Sequence, residues 1–140
     1  MSFPFLTSDA GRSNSRRPKE KHDCTVRAIA TATATNYDEV YDVLEAAGRL
    51  KNDGIHVRTW LATVANKAFG CKFTWKSYPA ERGFKRMNPV SFCEEHPRGR
   101  YICKTAGHVF AVVDGVVHDT VKTYDERCIY ASWRVDRIPE

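Results

Sequence analysis

The stretch around Cys24 combines a reactive residue type with a position that activates it. It reads His22-Asp23-Cys24-Thr25-Val26-Arg27-Ala28-Ile29-Ala30, with an aspartate directly before the cysteine and an apolar segment after it. This pattern predicts a helix that begins at Asp23, with the cysteine in its first turn. The first N–H groups of a helix lack intrahelical partners and carry the positive end of its dipole, so they lower the pKa of a thiol there. We interpret Cys24 as a candidate nucleophile, the alternative being a buried structural thiol.

Asp23 is expected to cap this helix. Aspartate is a favoured N-cap residue because its carboxylate accepts hydrogen bonds from the N–H groups two or three positions further on. The same carboxylate stands beside the thiol and opposes a negative charge on it. Asp23, Lys21 and His22 are therefore candidates for the lining of a cleft around Cys24, although His22 is equally well explained as a residue of a flexible leader.

A nucleophilic cysteine needs an imidazole within hydrogen-bond reach and a third group that orients the imidazole. His108 opens an apolar strand directly after Gly107, and Asp119 closes the following strand. The Asp114-Gly115 pair between the two strands is typical of a two-residue hairpin turn, which explains Asp114 without any chemistry. Such a turn places residue 119 diagonally beside residue 108 on the neighbouring strand. We interpret His108 as the candidate base and Asp119 as its candidate orienting carboxylate.

The rest of the chain predicts the elements that must bring these side chains together. Apolar residues recur at helical spacing in the first half, and they alternate as in strands in the second half. Helices are predicted over 23 to about 34, 36–47, 57–70 and 88–96, and strands over 71–76, 100–104, 108–113, 116–119 and 128–135. The order of elements indicates an α+β fold, with N-terminal helices packed on a C-terminal antiparallel sheet.

Length and charge indicate one folded domain with a basic leader. The chain has 140 residues and a net charge of +5. Residues 1–22 carry five basic and two acidic side chains, which gives them +3. They are expected to form a flexible leader, and residues 23–140 to form the domain. A basic leader can also contact nucleic acid, but the absence of a recognition-helix pattern argues against that partner.

Several functional classes find no support in the sequence. It has no apolar run of membrane-spanning length and no signal peptide, so a cytoplasmic protein without membrane contact is expected. The five scattered cysteines favour free thiols over a disulfide framework. Cys93, His96 and Cys103 lack the spacing of a zinc site, and no phosphate-binding or dinucleotide-binding motif is present, so no metal or cofactor is expected. Trp60, Trp75 and Trp133 are interpreted as core and sheet packing.

The combined motifs resemble a known enzyme family. An Asp-Cys pair at a helix start, a Gly-His pair that opens an apolar strand and an Asp that closes the next strand resemble the papain-like cysteine peptidases. The resemblance is closest to the bacteriocin-leader-processing peptidase domains of ABC transporters. The length from Asp23 to Val135 also resembles a group of small phage-encoded proteins of papain-like type.

The resemblance implies a function and a set of roles. It implies a papain-like fold in which Cys24 is the nucleophile, His108 the general base and Asp119 the orienting carboxylate. The implied activity is hydrolysis of an amide or related acyl bond in a protein or peptide substrate, a host protein being one candidate, in the host cytoplasm. The loops 51–56 and 78–87 are expected to set its specificity.

One feature of the family is absent. Those peptidases carry a glutamine before the cysteine whose amide helps to bind the oxyanion, and this chain contains no glutamine. The N–H of Cys24, together with Lys21 or His22, is expected to substitute for it. The alternative function is that of a non-catalytic binding protein which has kept the fold and blocks or sequesters a host protein.

Overall fold

The computed structural model describes residues 4–54, 68–121 and 127–139. Within these ranges the protein is an α+β structure with three α-helices and one six-stranded sheet. The helices are α1 (Cys24–Thr33), α2 (Tyr37–Ala46) and α3 (Pro89–Glu95). The strands are β1 (Phe5–Thr7), β2 (Cys71–Ser77), β3 (Arg100–Thr105), β4 (His108–Val113), β5 (Val116–Asp119) and β6 (Ala131–Arg137).

The sheet is mixed, which corrects the expected antiparallel sheet. Its strand order is β1-β5-β4-β3-β6-β2, and all neighbours are antiparallel except β1 and β5. Strand β1 comes from the N-terminal segment, where Phe5 pairs with Val117 and Thr7 pairs with Asp119. Three residues of mixed character do not alternate long enough to be recognised as a strand, so sequence patterning misses β1.

The hairpin between β4 and β5 has the predicted register. Val113 pairs with Val116 and Ala111 with His118, across a turn in which Asp114 and Gly115 both have positive φ angles of 50° and 74°. Both central residues of a type I′ turn require this conformation, so the Asp-Gly pair sets the turn. The turn thereby fixes which residues of β5 lie beside the start of β4.

Helix α1 is buried on most of its surface because its side chains are small and apolar. It packs on β4, and α2 packs beside it on the same face of the sheet. The Asn36 side chain accepts a hydrogen bond of 2.9 Å from the Asp38 N–H and so caps α2. The core on this face is centred on Val26, Ile29, Val40, Leu44, Ile102, Val109, Ala111 and Trp133.

The opposite face of the sheet is covered by α3. This helix begins with a capping box between Asn88 and Ser91 and has Pro89 at its first position, as the sequence predicts. Phe92 lies fully buried against the sheet, and Phe5 of β1 packs against the same cluster. Sheet and helices therefore form three layers, with two cores separated by the sheet.

The tryptophans occupy different environments. Trp133 is buried, as expected, whereas Trp75 is 47% exposed and lies on β2, one of the two edge strands of the sheet. Strand β6 begins at Ala131 rather than at residue 128. Residues 129 and 130 instead form isolated backbone hydrogen bonds, in which the Ile129 N–H donates to the Met87 carbonyl and the Tyr130 N–H donates to the Lys104 carbonyl. Trp60 and the helix predicted over 57–70 lie outside the described residues, except for a single 3-10 turn at Ala68–Gly70.

The N-terminal segment, residues 4–22, packs against the domain. Arg17 forms ion pairs of 2.8 Å with Asp38 and 2.6 Å with Asp42 on α2, and it lies over the ring of Tyr41. Glu20 is buried and pairs with the buried Arg49 at 3.2 Å. The charges that predict a leader are thus largely engaged with the domain. No helix in the described part of the chain has the length and apolar character that crossing a membrane requires.

Candidate active site

Cys24 and His108 are brought together by the ends of two elements. Cys24 is the first residue of α1, and His108 is the first residue of β4, on which α1 packs. The Cys24 side chain forms hydrogen bonds with the His108 side chain and with the Val109 backbone N–H. The thiol is partly exposed and borders a cleft. A thiol, an imidazole and solvent access therefore coincide at one point of the surface.

The His108 ring is held from its other side by Asp119. The distance between His108 Nε2 and Asp119 Oδ2 is 2.6 Å, and the Asp119 side chain is only 1% exposed. Because Nε2 is engaged by the carboxylate, Nδ1 is the ring nitrogen left for the thiol. The carboxylate fixes the tautomer and the orientation of the ring, which is the task of the third member of a catalytic triad.

The second oxygen of Asp119 also has partners. Asp119 Oδ1 accepts a hydrogen bond of 2.7 Å from the Thr120 N–H and one of 2.8 Å from Arg27 Nη1. The buried carboxylate is therefore satisfied on both oxygens. Burial alone would raise the pKa of Asp119. The hydrogen bond and charge of His108, together with the contacts of Thr120 and Arg27, outweigh burial and lower this pKa.

The surroundings of Cys24 favour its thiolate. Burial alone would raise the pKa of this thiol, but the hydrogen bonds with His108 and Val109 and the charges of His108 and Arg27 bring it below its ordinary value. Burial raises the pKa of Cys71, of Cys93 to about 11, and of Cys103 well above the usual range. A low pKa and partial exposure together distinguish a reactive cysteine from a structural one.

His108 is correspondingly more basic than a free histidine. Burial would lower its pKa, but the hydrogen bonds with Asp119 and then with Cys24 raise it to about 9. The charged forms of the two side chains therefore stabilise each other. The site therefore favours the thiolate–imidazolium pair more than an isolated cysteine and histidine would.

Asp23 stands at the N-cap position but does not cap the helix, contrary to expectation. Its carboxylate is turned into the protein. There it accepts from Arg12 at 3.0 Å, from Arg27 Nε at 3.0 Å and from the Tyr37 hydroxyl at 2.8 Å. These charged and phenolic donors outcompete the backbone N–H groups for the buried carboxylate. Asp23 is also not among the residues that line the cleft.

The cleft beside Cys24 has a volume of about 440 Å³. Besides the thiol and the imidazole, its described lining consists of His22, Arg27, Asp53, Gly54 and Gly107. His22 is thus at the cleft, with its side chain exposed. Of the loops expected to set specificity, residues 53 and 54 contribute to this lining, and residues 55 and 56 lie outside the described ranges. Most residues of the loop 78–87 line a separate cavity, whose described lining shares no residue with the cleft beside Cys24.

The backbone of the two residues before Asp23 is held by hydrogen bonds from residues 49 and 52. Arg49 Nη2 donates to the carbonyls of Lys21 and His22 at 3.3 and 3.4 Å, and the Lys21 N–H donates to the Asn52 side chain at 2.8 Å. His22 has a positive φ of 53°. These contacts hold the backbone of residues 21 and 22 in place. They also engage the Lys21 N–H, which removes it as an oxyanion donor.

Arg27 is the site residue that sequence reasoning misses. It follows Cys24 by three positions in the same helix, so the two side chains lie on one side of α1. This spacing is a signal that could have identified it. Arg12 contacts Asp23 from a segment without a recognisable pattern, and no sequence signal predicts that contact.

The described fold and the contacts of three side chains define the kind of site. The protein is an α+β domain that holds a hydrogen-bonded cysteine, histidine and aspartate at the edge of a cleft. Within the described ranges, no three histidine, cysteine or acidic side chains are grouped so that they could hold a metal ion. Comparison of the chain with protein-family models, curated proteins and solved structures finds no match.

Proposed function

We propose that this protein is a papain-like thiol hydrolase that cleaves an amide or related acyl bond through Cys24. The observation that carries the proposal is the continuous hydrogen-bonded series from Cys24 through His108 to the buried Asp119. An isolated thiol and histidine meet in many cores. A third, buried carboxylate on the far ring nitrogen, with the thiol at a cleft, is what nucleophilic catalysis requires.

The first half of the reaction uses the thiolate–imidazolium pair that the site favours. The Cys24 thiolate attacks the carbonyl carbon, forming a carbon–sulfur bond and moving the carbonyl electron pair onto oxygen. When the oxyanion re-forms the carbonyl, the bond to the leaving group breaks and the His108 imidazolium supplies its proton to that group. An acyl group is then bound to sulfur as a thioester, and His108 is neutral.

The second half restores the enzyme. Neutral His108 takes a proton from water as the water oxygen attacks the thioester carbonyl, and collapse of this intermediate breaks the carbon–sulfur bond. The acid leaves, the thiolate returns and His108 is again protonated. Asp119 keeps the ring in one orientation throughout, and it stabilises the protonated ring at the start and end of the cycle.

Backbone donors at the start of α1 take the place of the missing glutamine. Among the described residues, no hydrogen-bond partner is found for the N–H of Cys24, and this group lies at the positive end of the helix. His22 is the second candidate donor because it lies two positions before Cys24 and borders the cleft. Removal of one preorganised oxyanion donor costs such reactions about a hundredfold or more in rate, so the Cys24 N–H is expected to contribute stabilisation of this size.

The proposal is tested with an activated acyl compound rather than with the unidentified natural substrate. Incubation with p-nitrophenyl acetate is expected to release nitrophenol continuously and to place an acetyl group on Cys24, detected by intact mass after acid quench. Cys24→Ala is expected to abolish both signals, whereas Cys128→Ala, at another partly exposed thiol, keeps both. His108→Ala is expected to slow both acylation and deacylation.

Equal acylation of Cys24 in the wild type and in His108→Ala, without turnover in either, would contradict the proposal. That outcome would favour the alternative of a binding protein that has kept the fold. The lack of an amide side chain in the described lining of the cleft is the observation consistent with this alternative.

A further inference from the structure

Arg27 connects the two buried carboxylates behind Cys24. Its Nη1 donates to Asp119 Oδ1 at 2.8 Å, and its Nε donates to Asp23 Oδ1 at 3.0 Å. The side chain is 12% exposed, and it borders the same cleft as the thiol. One guanidinium therefore links the N-cap residue of α1 to the carboxylate that orients His108.

The contact with Asp119 restricts the orientation of its carboxylate. Oδ1 is occupied by Arg27 and by the Thr120 N–H, so Oδ2 is directed at His108. Rotation of the carboxylate away from the imidazole would break both contacts at Oδ1. Arg27 thus acts on the imidazole through Asp119, and its charge also acts on the thiol.

Arg27 is itself held in place from the N-terminal segment. Arg12 Nη1 contacts both oxygens of Asp23, at 3.0 and 3.2 Å, and the Tyr37 hydroxyl donates to the same carboxylate at 2.8 Å. The Asp23 side chain is only 2% exposed. A series of side chains therefore runs from Arg12 through Asp23, Arg27 and Asp119 to the imidazole, with opposite charges alternating along it.

The guanidinium group suits this place better than an ammonium group would. Its donors are fixed in one plane and point in different directions, so Nε and Nη1 can serve two carboxylates at once. A lysine at position 27 keeps a positive charge near Cys24 but offers a single flexible ammonium. Charge and geometry can therefore be separated by substitution.

We propose that Arg27 is the positioning residue of the Cys24–His108–Asp119 site, and that Arg12 of the N-terminal segment fixes it there through Asp23. This proposal rests on the proposed function, because positioning has a purpose only if the thiol reacts. It adds a dependence of thiol reactivity on the N-terminal segment that the three site residues alone do not imply.

The experiment measures the rate of Cys24 alkylation by iodoacetamide from pH 5 to pH 10, using intact mass to identify the modified cysteine. The variants are Arg27→Met, Arg27→Lys and Arg12→Met in the full chain. Arg16→Met is the matched control because Arg16 lies in the same segment and pairs with Asp38 and Asp42 on α2. The NMR signal of the His108 ring proton on Nε2 reports the contact with Asp119, and thermal unfolding reports the fold.

Arg27→Met is expected to move the pH profile of alkylation upward, with an alkylation rate at pH 6.5 about threefold to tenfold below wild type. It is also expected to broaden or remove the ring-proton signal. Arg27→Lys is expected to leave the alkylation profile closer to wild type, because charge is retained, but to weaken the ring-proton signal. Arg12→Met is expected to change both in the same direction as Arg27→Met by a smaller amount. Arg16→Met is expected to change neither.

If Arg27→Met does not fold, Arg27→Lys and Arg12→Met decide the question, since each leaves a cation beside the buried carboxylates. Wild-type alkylation profiles and ring-proton signals in both folded variants would overturn the proposal. This failure is distinguishable from failure of the proposed function. If only the role of Arg27 is wrong, Cys24 alkylation still differs between the wild type and His108→Ala. If the proposed function is wrong, Cys24 alkylation is the same in these two proteins.

Discussion

The imidazole of His108 and the carboxylate of Asp119 meet at 2.6 Å across the two strands of one hairpin. The Asp114-Gly115 turn sets the register of this hairpin, and the start of α1 brings the Cys24 thiol to the other side of the ring. A local turn thus positions the orienting carboxylate, whereas packing of α1 on β4 positions the nucleophile. The turn and the helix packing involve different residues, so their contributions can be tested separately.

Asp119→Asn is expected to reduce stability in a pH-dependent manner. The pKa of Asp119 is lowered in the folded protein, chiefly by His108 against the opposing effect of burial. A carboxyl group of this kind contributes stability that is fully present above its unfolded pKa of about 3.9 and is lost as the pH falls through the folded pKa. We expect the variant to be about 2 kcal/mol less stable at pH 7.

The measurement is the free energy of unfolding in urea between pH 3 and pH 8. The difference between wild type and Asp119→Asn should be largest between about pH 5 and pH 6.5 and should shrink below pH 4. It should also shrink above about pH 6.5, because the stability that the raised His108 pKa contributes is lost as the pH rises toward about 9. A difference that grows as the pH falls below about 5 would contradict the assignment of a buried, ionised carboxylate.

Arg49→Met is expected to destabilise the fold strongly. Arg49 and Glu20 are each 1% exposed at their side chains and pair at 3.2 Å, so removal of the cation leaves a buried carboxylate. Such a loss costs about 3–5 kcal/mol. The surface pair of Arg134 and Asp136, with side chains 57% and 49% exposed, provides the control. Arg134→Met should cost less than about 1 kcal/mol in the same urea titration.

Gly115→Ala is expected to be more harmful than Gly107→Ala. Both glycines have positive φ angles, 74° and 68°, which disfavour a side chain. A Cβ at Gly115 would also lie 3.2 Å from Pro97 Cα, whereas one at Gly107 would meet nothing within 4 Å. We expect a loss of about 1 kcal/mol at Gly107 and of at least about 2 kcal/mol at Gly115. Equal losses in thermal unfolding would show that the contact with Pro97 is unimportant.

Removal of residues 1–10 is expected to lower the unfolding temperature and to leave a folded domain. The deletion removes β1, which pairs with β5, and the apolar contact of Phe5 with the second core. It retains Arg12 and Arg17, so the contacts with Asp23 and α2 persist. Removal of residues 1–22 is expected to cause a larger loss, because it also removes Glu20 and exposes the Arg49 site. An unchanged unfolding temperature in both would indicate that the segment is a leader without structural contribution.

Local patterning in the sequence predicts much of the fold. Three kinds of signal are strong: apolar spacing in α1 and α2, the Asn88-Pro89 start of α3, and the Asp114-Gly115 turn with its alternating flanks. Each depends on residues close together in the chain, and the structure confirms each. The place of Cys24, His108 and Asp119, each at the end of its own helix or strand, follows from these local signals.

Long-range polar contacts escape sequence reasoning. Asp23 is expected at a helix cap because the local competition favours backbone N–H groups, but Arg12 and Tyr37 reach it from other segments. Strand β1 is missed because its pairing with β5 spans most of the chain. The basic composition of residues 1–22 predicts solvated charge, whereas partners for Arg16 and Arg17 lie on α2.

The pairing of Cys24 with His108 is tested by the pH dependence of Cys24 alkylation by iodoacetamide in the wild type and in His108→Ala. We expect the wild-type thiol to react with an apparent pKa below the ordinary cysteine value, because His108, with a pKa of about 9, stabilises the thiolate. His108→Ala should move the profile upward, toward or above that of a free thiol at about 8.5. A wild-type profile like that of a free thiol, unchanged by His108→Ala, would contradict the claim that these two side chains form a reactive pair.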